Sequence, residues 1–236
     1  MLSIILPAYL EAENLGKILP EIHKTLSGVE YEILVIDAVL PIDDTPEICK
    51  NNSAVCVQRT GGNTYGDAIR TGIHKARGQY IVIMDADGSH DPRDMKKFLL
   101  EMDSGDYDLI IGSRYCRGGN TENNIILRFM SWILNVTYRL CFNIPVCDIS
   151  DSFRLYKAEQ LKAIQIECSN FDVVEEILIK LNTAFCPLRM LEVPITFHKR
   201  NAGESKRNLL KFVKSYIVTM WRLLKIKRRE EKKYGV

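Results

Sequence analysis

The sequence predicts a doubly wound α/β fold around a mostly parallel sheet. Three observations carry this: short apolar runs without polar alternation, helical patterns between them, and Pro or Asp where the runs end. Apolar runs at residues 2–6, 32–37, 54–57, 80–84 and 108–112 read as strands covered on both faces. Helical periodicity fills the gaps at 12–26, 43–51, 65–76 and 92–102. The last of these opens with Asp91 as N-cap and Pro92 in the first helical position. Such β-α-β-α order places the ligand crevice at the carboxyl ends of the strands. Pro7, Asp37 and Asp85 all fall at such ends, so topology alone brings them to one edge.

Composition bounds the rest. With 236 residues, 46% of them hydrophobic, the chain suits one large domain with room for an appendage. The formal net charge is only +2, but basic residues crowd the last thirty positions. Few aromatics interleave that basic cluster, which argues against nucleic acid as a partner. Seven cysteines show no C-x-x-C pair and no metal-like grouping with the histidines, so reduced thiols in a cytosolic compartment are expected. The first residues carry no basic n-region, and no run reaches about 18 uninterrupted apolar residues, so neither a signal peptide nor a spanning helix is expected.

The most informative local feature is Asp85-Ala86-Asp87, directly after the apolar run 80–84. Residues two apart in an extended chain face one side, so both carboxylates can aim at a single cation or diphosphate. Hard cations such as Mg²⁺ and Mn²⁺ take such oxygen ligands together with nucleotide phosphates. Two solvated acids that merely cap a turn are the alternative. Residues 59–68 hold a glycine pair before a helix start, suited either to an anion at a helix N-terminus or to a plain tight turn. Neither G-x-x-x-x-G-K-[ST] nor a G-x-G-x-x-G after the first strand is present, which disfavours P-loop and dinucleotide enzymes.

Taken in order, the motifs resemble GT-A glycosyltransferases of family 2, and among them the dolichyl- or polyprenyl-phosphate mannosyltransferases. The resemblance runs from Pro7-Ala8-Tyr9-Leu10-Glu11 through Val35-Ile36-Asp37 and Asp85-Ala86-Asp87-Gly88-Ser89-His90-Asp91-Pro92. It continues at Gly112-Ser113-Arg114-Tyr115, residues 148–156 and Glu192-Val193-Pro194-Ile195, and ends at Arg200-Asn201-Ala202-Gly203-Glu204-Ser205-Lys206. It implies a GT-A domain over 1–206 followed by a basic amphipathic helix over 207–236. Pro7, Tyr9, Glu11, Asp37, Asp85, Ala86 and Lys206 would then contact a nucleotide sugar, and Asp85, Asp87 and Ser89 would hold Mg²⁺ or Mn²⁺. Asp87, Arg114, Arg128 and Arg200 would serve catalysis, the arginines by receiving the acceptor phosphate and the leaving diphosphate. The implied donor is GDP-mannose first, with UDP-glucose or UDP-N-acetylglucosamine next. The implied acceptor is a polyprenyl or dolichyl phosphate, with a saccharide as alternative.

Several positions depart from the family pattern. Ala38 stands where a second acid usually follows Asp37, Leu10 replaces an asparagine, and Asp151 and Ser152 replace the serine and glycine of S-G-F-R. An acid at 151 would either repel an acceptor phosphate or act as base toward a hydroxyl acceptor. Ala38 and Ser152 also motivate a different class of reading, a non-catalytic nucleotide-sugar-binding subunit docked on a membrane partner. Residues 125–142 are rich in large apolar side chains with Arg128 and Arg139 interleaved, which fits either a membrane interface or a core helix. The tail combines an apolar stripe with a basic end, suited to packing on the domain while approaching anionic headgroups. A peripheral position at the cytoplasmic membrane face is therefore expected.

Overall fold

A computed structural model describes residues 1–199 and 209–235, without the side chains of 209–216. The expected boundary at 206/207 lies outside the described residues, as do Arg200 and Lys206. Strands β1 (Leu2–Pro7), β2 (Tyr31–Asp37), β3 (Val55–Gln58) and β4 (Tyr80–Ile83) form a parallel block in the order β3-β2-β1-β4. Between them run α1 (Ala12–Thr25), α2 (Thr45–Asn51) and α3 (Tyr65–Lys75). These match the sequence reading to within two residues at each end. After β4 the predicted helix at 92–102 opens as a 3-10 turn over Pro92–Asp94 and becomes α4 (Met95–Met102). Asp91 caps it as expected, its carboxylate accepting from the Arg93 amide at 2.9 Å.

The sheet continues beyond β4 in a way the periodicity did not predict. β5 (Leu109–Ser113) is separated from β4 by an antiparallel strand, β7 (Arg154–Lys157), and β8 (Met190–Pro194) closes the far side in parallel with β5. A small second sheet pairs β6 (Asn120–Thr121) with β9 (Thr196–Phe197). Between these strands lie α5 (Ile125–Phe142), α6 (Ala158–Ala163) and α7 (Val173–Ala184), and α8 (Leu209–Tyr234) ends the chain.

Pleating explains the two cores. Ile4, Leu6, Ile33, Val35 and Val82 point to one face, where α1, α2 and α4 supply Leu15, Cys49 and Phe98. Their neighbours Ile5, Leu34, Ile36, Ile81 and Ile83 point to the other, where α3, α5, α6, α7 and α8 pack. Both faces are thus covered, which is why these strands lack polar alternation. All seven cysteines are free thiols.

Helices α5 and α8 differ in what they bury. The α8 stripe packs Leu223 and Ile226 onto the core beside α7, and Arg222 binds Asp172 at 2.7 Å. Only Asn135, Tyr138 and Phe142 of α5 are buried, while Ile125, Ile126, Phe129, Trp132, Ile133 and Leu140 are exposed. Asn135 ties the helix down: its side-chain oxygen accepts from the amides of Ile149 (3.0 Å) and Ser150 (3.2 Å). By length and composition α5 is also apolar enough to cross a membrane, the one such helix among the described residues. The expectation of no spanning-length segment rested on uninterrupted runs, and α5 reaches this average despite Arg128 and Arg139.

Candidate active site

Strand register assembles the edge foreseen from the sequence. Pro7 lies opposite Ile36 and Ile5 opposite Ile83, so Asp37, Pro7 and Asp85 end three adjacent strands at nearly one level. Strands just under 5 Å apart put Asp37 and Asp85 about 10 Å from each other across Pro7. Tyr9 is half exposed at this rim, and Leu10 beside it holds a positive φ of 60°. Glu11, just before α1, accepts from the Asn14 side chain at 2.7 Å.

Asp37 is wholly buried, with Oδ1 accepting from the Ala38 amide at 2.7 Å and Oδ2 left without a partner. Burial raises its pKa, the Ala38 amide opposes this, and the charge of Asp43 adds to the rise. The Asp43 carboxylate itself accepts from the amides of Ala12 (3.1 Å) and Thr45 (3.1 Å). Sequence reasoning missed Arg59. Its guanidinium donates to the carbonyls of Ala8, Ile36 (3.2 Å), Asp37 (2.9 Å), Asn63 (3.1 Å) and Thr64 (3.2 Å), and lies 5.9 Å from the Tyr9 ring centre. One arginine thus joins the ends of β1 and β2 to the following turn.

That turn is the tight-turn alternative of the sequence reading. Thr64 and Asp67 form a capping box at the start of α3, and the Asp67 carboxylate accepts from Thr64 N at 3.0 Å and Thr64 Oγ1 at 2.6 Å. Gly61 and Gly62 wrap the same carboxylate at φ of +93° and +152°, and a Cβ on either would come within 3.0 Å of it. The helix end is satisfied by the chain's own acid.

The two acids after β4 are held differently. Asp85 Oδ1 accepts from the Tyr65 hydroxyl at 2.8 Å, and the Asp85 amide donates to His90 Nδ1 at 3.2 Å. Tyr65 is fixed by stacking on Phe171, with ring centres 4.6 Å apart. Burial raises the Asp85 pKa, and the charge of Asp87 adds to the rise; the Tyr65 hydroxyl, which donates to Asp85, favours its charged form. Asp87 Oδ1 accepts from Ser89 N (3.0 Å) and Ser89 Oγ (2.5 Å). Ser89 is fully buried, and in this arrangement its hydroxyl orients Asp87. Ala86 turns its methyl into the apolar core, leaving only its backbone on the site side.

Among the described residues no three His, Cys, Asp or Glu side chains converge on a metal position. Two hard carboxylates at one turn nevertheless fit a divalent cation that draws its remaining ligands from water or a bound phosphate. A cation there would offset the repulsion from Asp87 that contributes to the raised pKa of Asp85.

On the far side of β4 the charges are already matched. Arg114, with 9% of its side chain exposed, binds Asp148 through Nε (2.7 Å) and a terminal nitrogen (2.8 Å), and its Nε lies 3.1 Å from Asp151 Oδ2. Asp151 also lies 3.1 Å from His90 Nε2. The acid at 151 thus neither faces a phosphate nor stands open as a base: it points inward at two cation-forming side chains. Arg114, expected to receive phosphate, is engaged by carboxylates. Arg128 is exposed on the first turn of α5. Glu175, unmarked in the sequence, is buried on α7 with Oε2 unpartnered, and burial pushes its pKa up to about 7.

Comparison with known proteins gives this geometry a context. The family model described as "Glycosyl transferase family 2" matches residues 3–165. The chain is 32% identical to a dolichol-phosphate mannosyltransferase of Pyrococcus furiosus over 94% of its own length and 63% of that protein, so it spans less than two thirds of this relative. It is also 32% identical to an undecaprenyl-phosphate mannosyltransferase of Micrococcus luteus, over 86% of this chain and 85% of the relative. Among solved structures, glucosyl-3-phosphoglycerate synthase from Mycobacterium tuberculosis, in complex with Mn²⁺, UDP and phosphoglyceric acid, superposes with a TM-score of 0.74 at 16% identity. The match covers 95% of this chain and 78% of that one. The likeness shows the fold, GT-A.

Proposed function

Because the chain belongs to glycosyl transferase family 2, we propose that it is a metal-dependent inverting transferase that moves a sugar from a nucleotide sugar to a polyprenyl or dolichyl phosphate. Mannose from GDP-mannose is the first choice of donor, since both polyprenyl-phosphate relatives are named mannosyltransferases. The observation that carries the reading is the shared edge of Asp37, Asp85 and Asp87, with an unpartnered buried oxygen on Asp37 and a carboxylate pair suited to a cation.

In this reading Pro7, Tyr9, Glu11 and Asp37 seat the nucleoside, and Asp85 and Asp87 hold Mg²⁺ or Mn²⁺, with Ser89 orienting Asp87. Solved structures of the same fold are described with Mn²⁺ or Mg²⁺ and UDP, which supports a divalent ion of this kind. When bound, the cation supplies charge stabilisation to the departing diphosphate. The acceptor phosphate is already anionic near neutral pH, so its oxygen forms the bond to the anomeric carbon without a protein base. The bond from that carbon to the diphosphate oxygen breaks on the opposite face. Positioning of two anions is the protein's main task. Arg128, Arg200 and Lys206 are assigned to the phosphates, while Arg114, held by Asp148 and Asp151, supports the loop at 148–152.

The exposed apolar face of α5, flanked by Arg128 and Arg139, and the basic end of α8 are assigned to the membrane surface that carries the lipid, on its cytoplasmic side. A membrane-protein partner would use the same face. The test incubates the full chain with dolichyl phosphate vesicles, Mn²⁺ and GDP-mannose, UDP-glucose or UDP-N-acetylglucosamine in turn, and weighs the lipid product by mass spectrometry. A mannosyl lipid that disappears with chelator is expected. Nucleotide binding without any glycolipid would instead support the non-catalytic subunit, and a glycosylated free saccharide the alternative acceptor.

A further inference from the structure

The buried cluster behind the acidic pair has its own logic. His90 Nδ1 accepts the Asp85 amide proton at 3.2 Å, which requires a bare lone pair on Nδ1 and places the ring proton of the neutral imidazole on Nε2. Nε2 faces Asp151 Oδ1 at 3.1 Å, with neither side chain exposed. The ring is fixed by stacking on Phe153 (5.0 Å) and by the edge-to-face Phe197 (5.3 Å). On its other oxygen Asp151 lies 3.1 Å from Arg114 Nε, and its Oδ1 accepts from the Phe153 amide at 2.9 Å. His90 closes the turn from 85 to 90 by gripping the backbone of its first residue, and the Asp151 carboxylate lies against the opposite nitrogen of the same ring.

We propose that Asp151 is a positioning residue for the cation site: through His90 it sets the backbone at Asp85, and through Arg114 it anchors the loop on which it stands. It touches neither cation nor substrate. Partners behind metal ligands commonly change metal affinity by about 10–100-fold when removed. This inference rests on the assignment of the cation to Asp85 and Asp87. It also gives the acid at position 151 a defined task in this chain, where the family pattern has a serine.

The test measures Mn²⁺ binding to the full chain by electron paramagnetic resonance in the presence of GDP and, separately, UDP. Wild type is compared with Asp151→Asn and Asp151→Ser after thermal melting shows that each variant folds. The expected result is a roughly tenfold weaker Mn²⁺ half-saturation in both variants, with near-normal turnover restored at saturating Mn²⁺. His90→Gln, which leaves the Asp151 and Arg114 contact intact, is expected to show the same shift, and the Asp151→Asn/His90→Gln double variant no additional one. His90→Gln carries the same readout if neither Asp151 variant folds. A lowered melting temperature with an unmoved Mn²⁺ curve would make Asp151 a structural residue only and overturn the proposal. Absence of saturable Mn²⁺ binding in wild type would sink the cation site itself.

Discussion

The two sides of β4 handle charge in opposite ways. Toward β1 and β2, carboxylates are left wanting: Asp37 has a bare buried oxygen, and Asp85 is raised by burial and by Asp87. Toward β7 and β5, charges are already matched: Arg114 with Asp148 and Asp151, and Asp108 with Lys157 and Arg189 at 2.8 and 3.0 Å. The first arrangement leaves acids short of partners, and the second pairs them within the fold. The carboxylate edge is thereby mounted on a prearranged frame, and Arg128 is left exposed.

The largest expected effect falls on the side toward β1 and β2. Asp87→Ala should lower glycosyl transfer by at least about 10²–10³-fold while leaving the melting curve cooperative. Wild-type turnover by that variant in saturating metal would remove the comparison's basis. Next comes Arg59→Ala, which strips the donor from buried carbonyls at the ends of β1 and β2 and should cost about 2–4 kcal/mol in denaturant unfolding. Arg59→Lys should recover little of this, because an ammonium lacks the planar fork that reaches several carbonyls.

Glu175, a buried acid on α7 whose Oε2 the fold leaves unpartnered, tests the same contrast through pH. Its folded pKa is raised to about 7 from an ordinary 4.5, so the folded state binds more protons between these values, and stability falls as pH rises through that window. Glu175→Gln removes the penalty and should stabilise the protein by about 1–3 kcal/mol at pH 8, with no gain at pH 4. A gain of equal size at both pH values would contradict the assignment. Smallest in energy is the α5 surface: Trp132→Ala should weaken binding to anionic vesicles by about tenfold. Folding stability should move by less than about 0.5 kcal/mol, since half of this side chain is already exposed.

The same division explains what was legible in the sequence. β1 to β4 are apolar runs whose partners are neighbours in a repeating pattern, so their extents and the convergence of Pro7, Asp37 and Asp85 could be read locally. β7 could not: it is four residues long, begins with the fully buried Arg154, and pairs antiparallel with strands far away in the chain. Buried Glu175, Glu176 and Lys180 likewise interrupt the apolar pattern of α7, although Glu176 and Lys180 satisfy each other at 2.8 Å. Tyr65 and Arg59 were hidden because their roles depend on Asp85 and on carbonyls from three separate segments. Asp151 was visible as a departure, but its partners His90 and Arg114 are visible only in three dimensions.

The central claim is that a cation on Asp85 and Asp87 joins a nucleoside diphosphate to the edge beside Asp37. Thermal melting of wild type and Asp87→Ala with GDP or UDP, in Mn²⁺ or in chelator, tests it most directly. Stabilisation that requires both nucleotide and Mn²⁺, and that vanishes in Asp87→Ala, is the predicted result. Equal stabilisation in chelator, or in the variant, would contradict it.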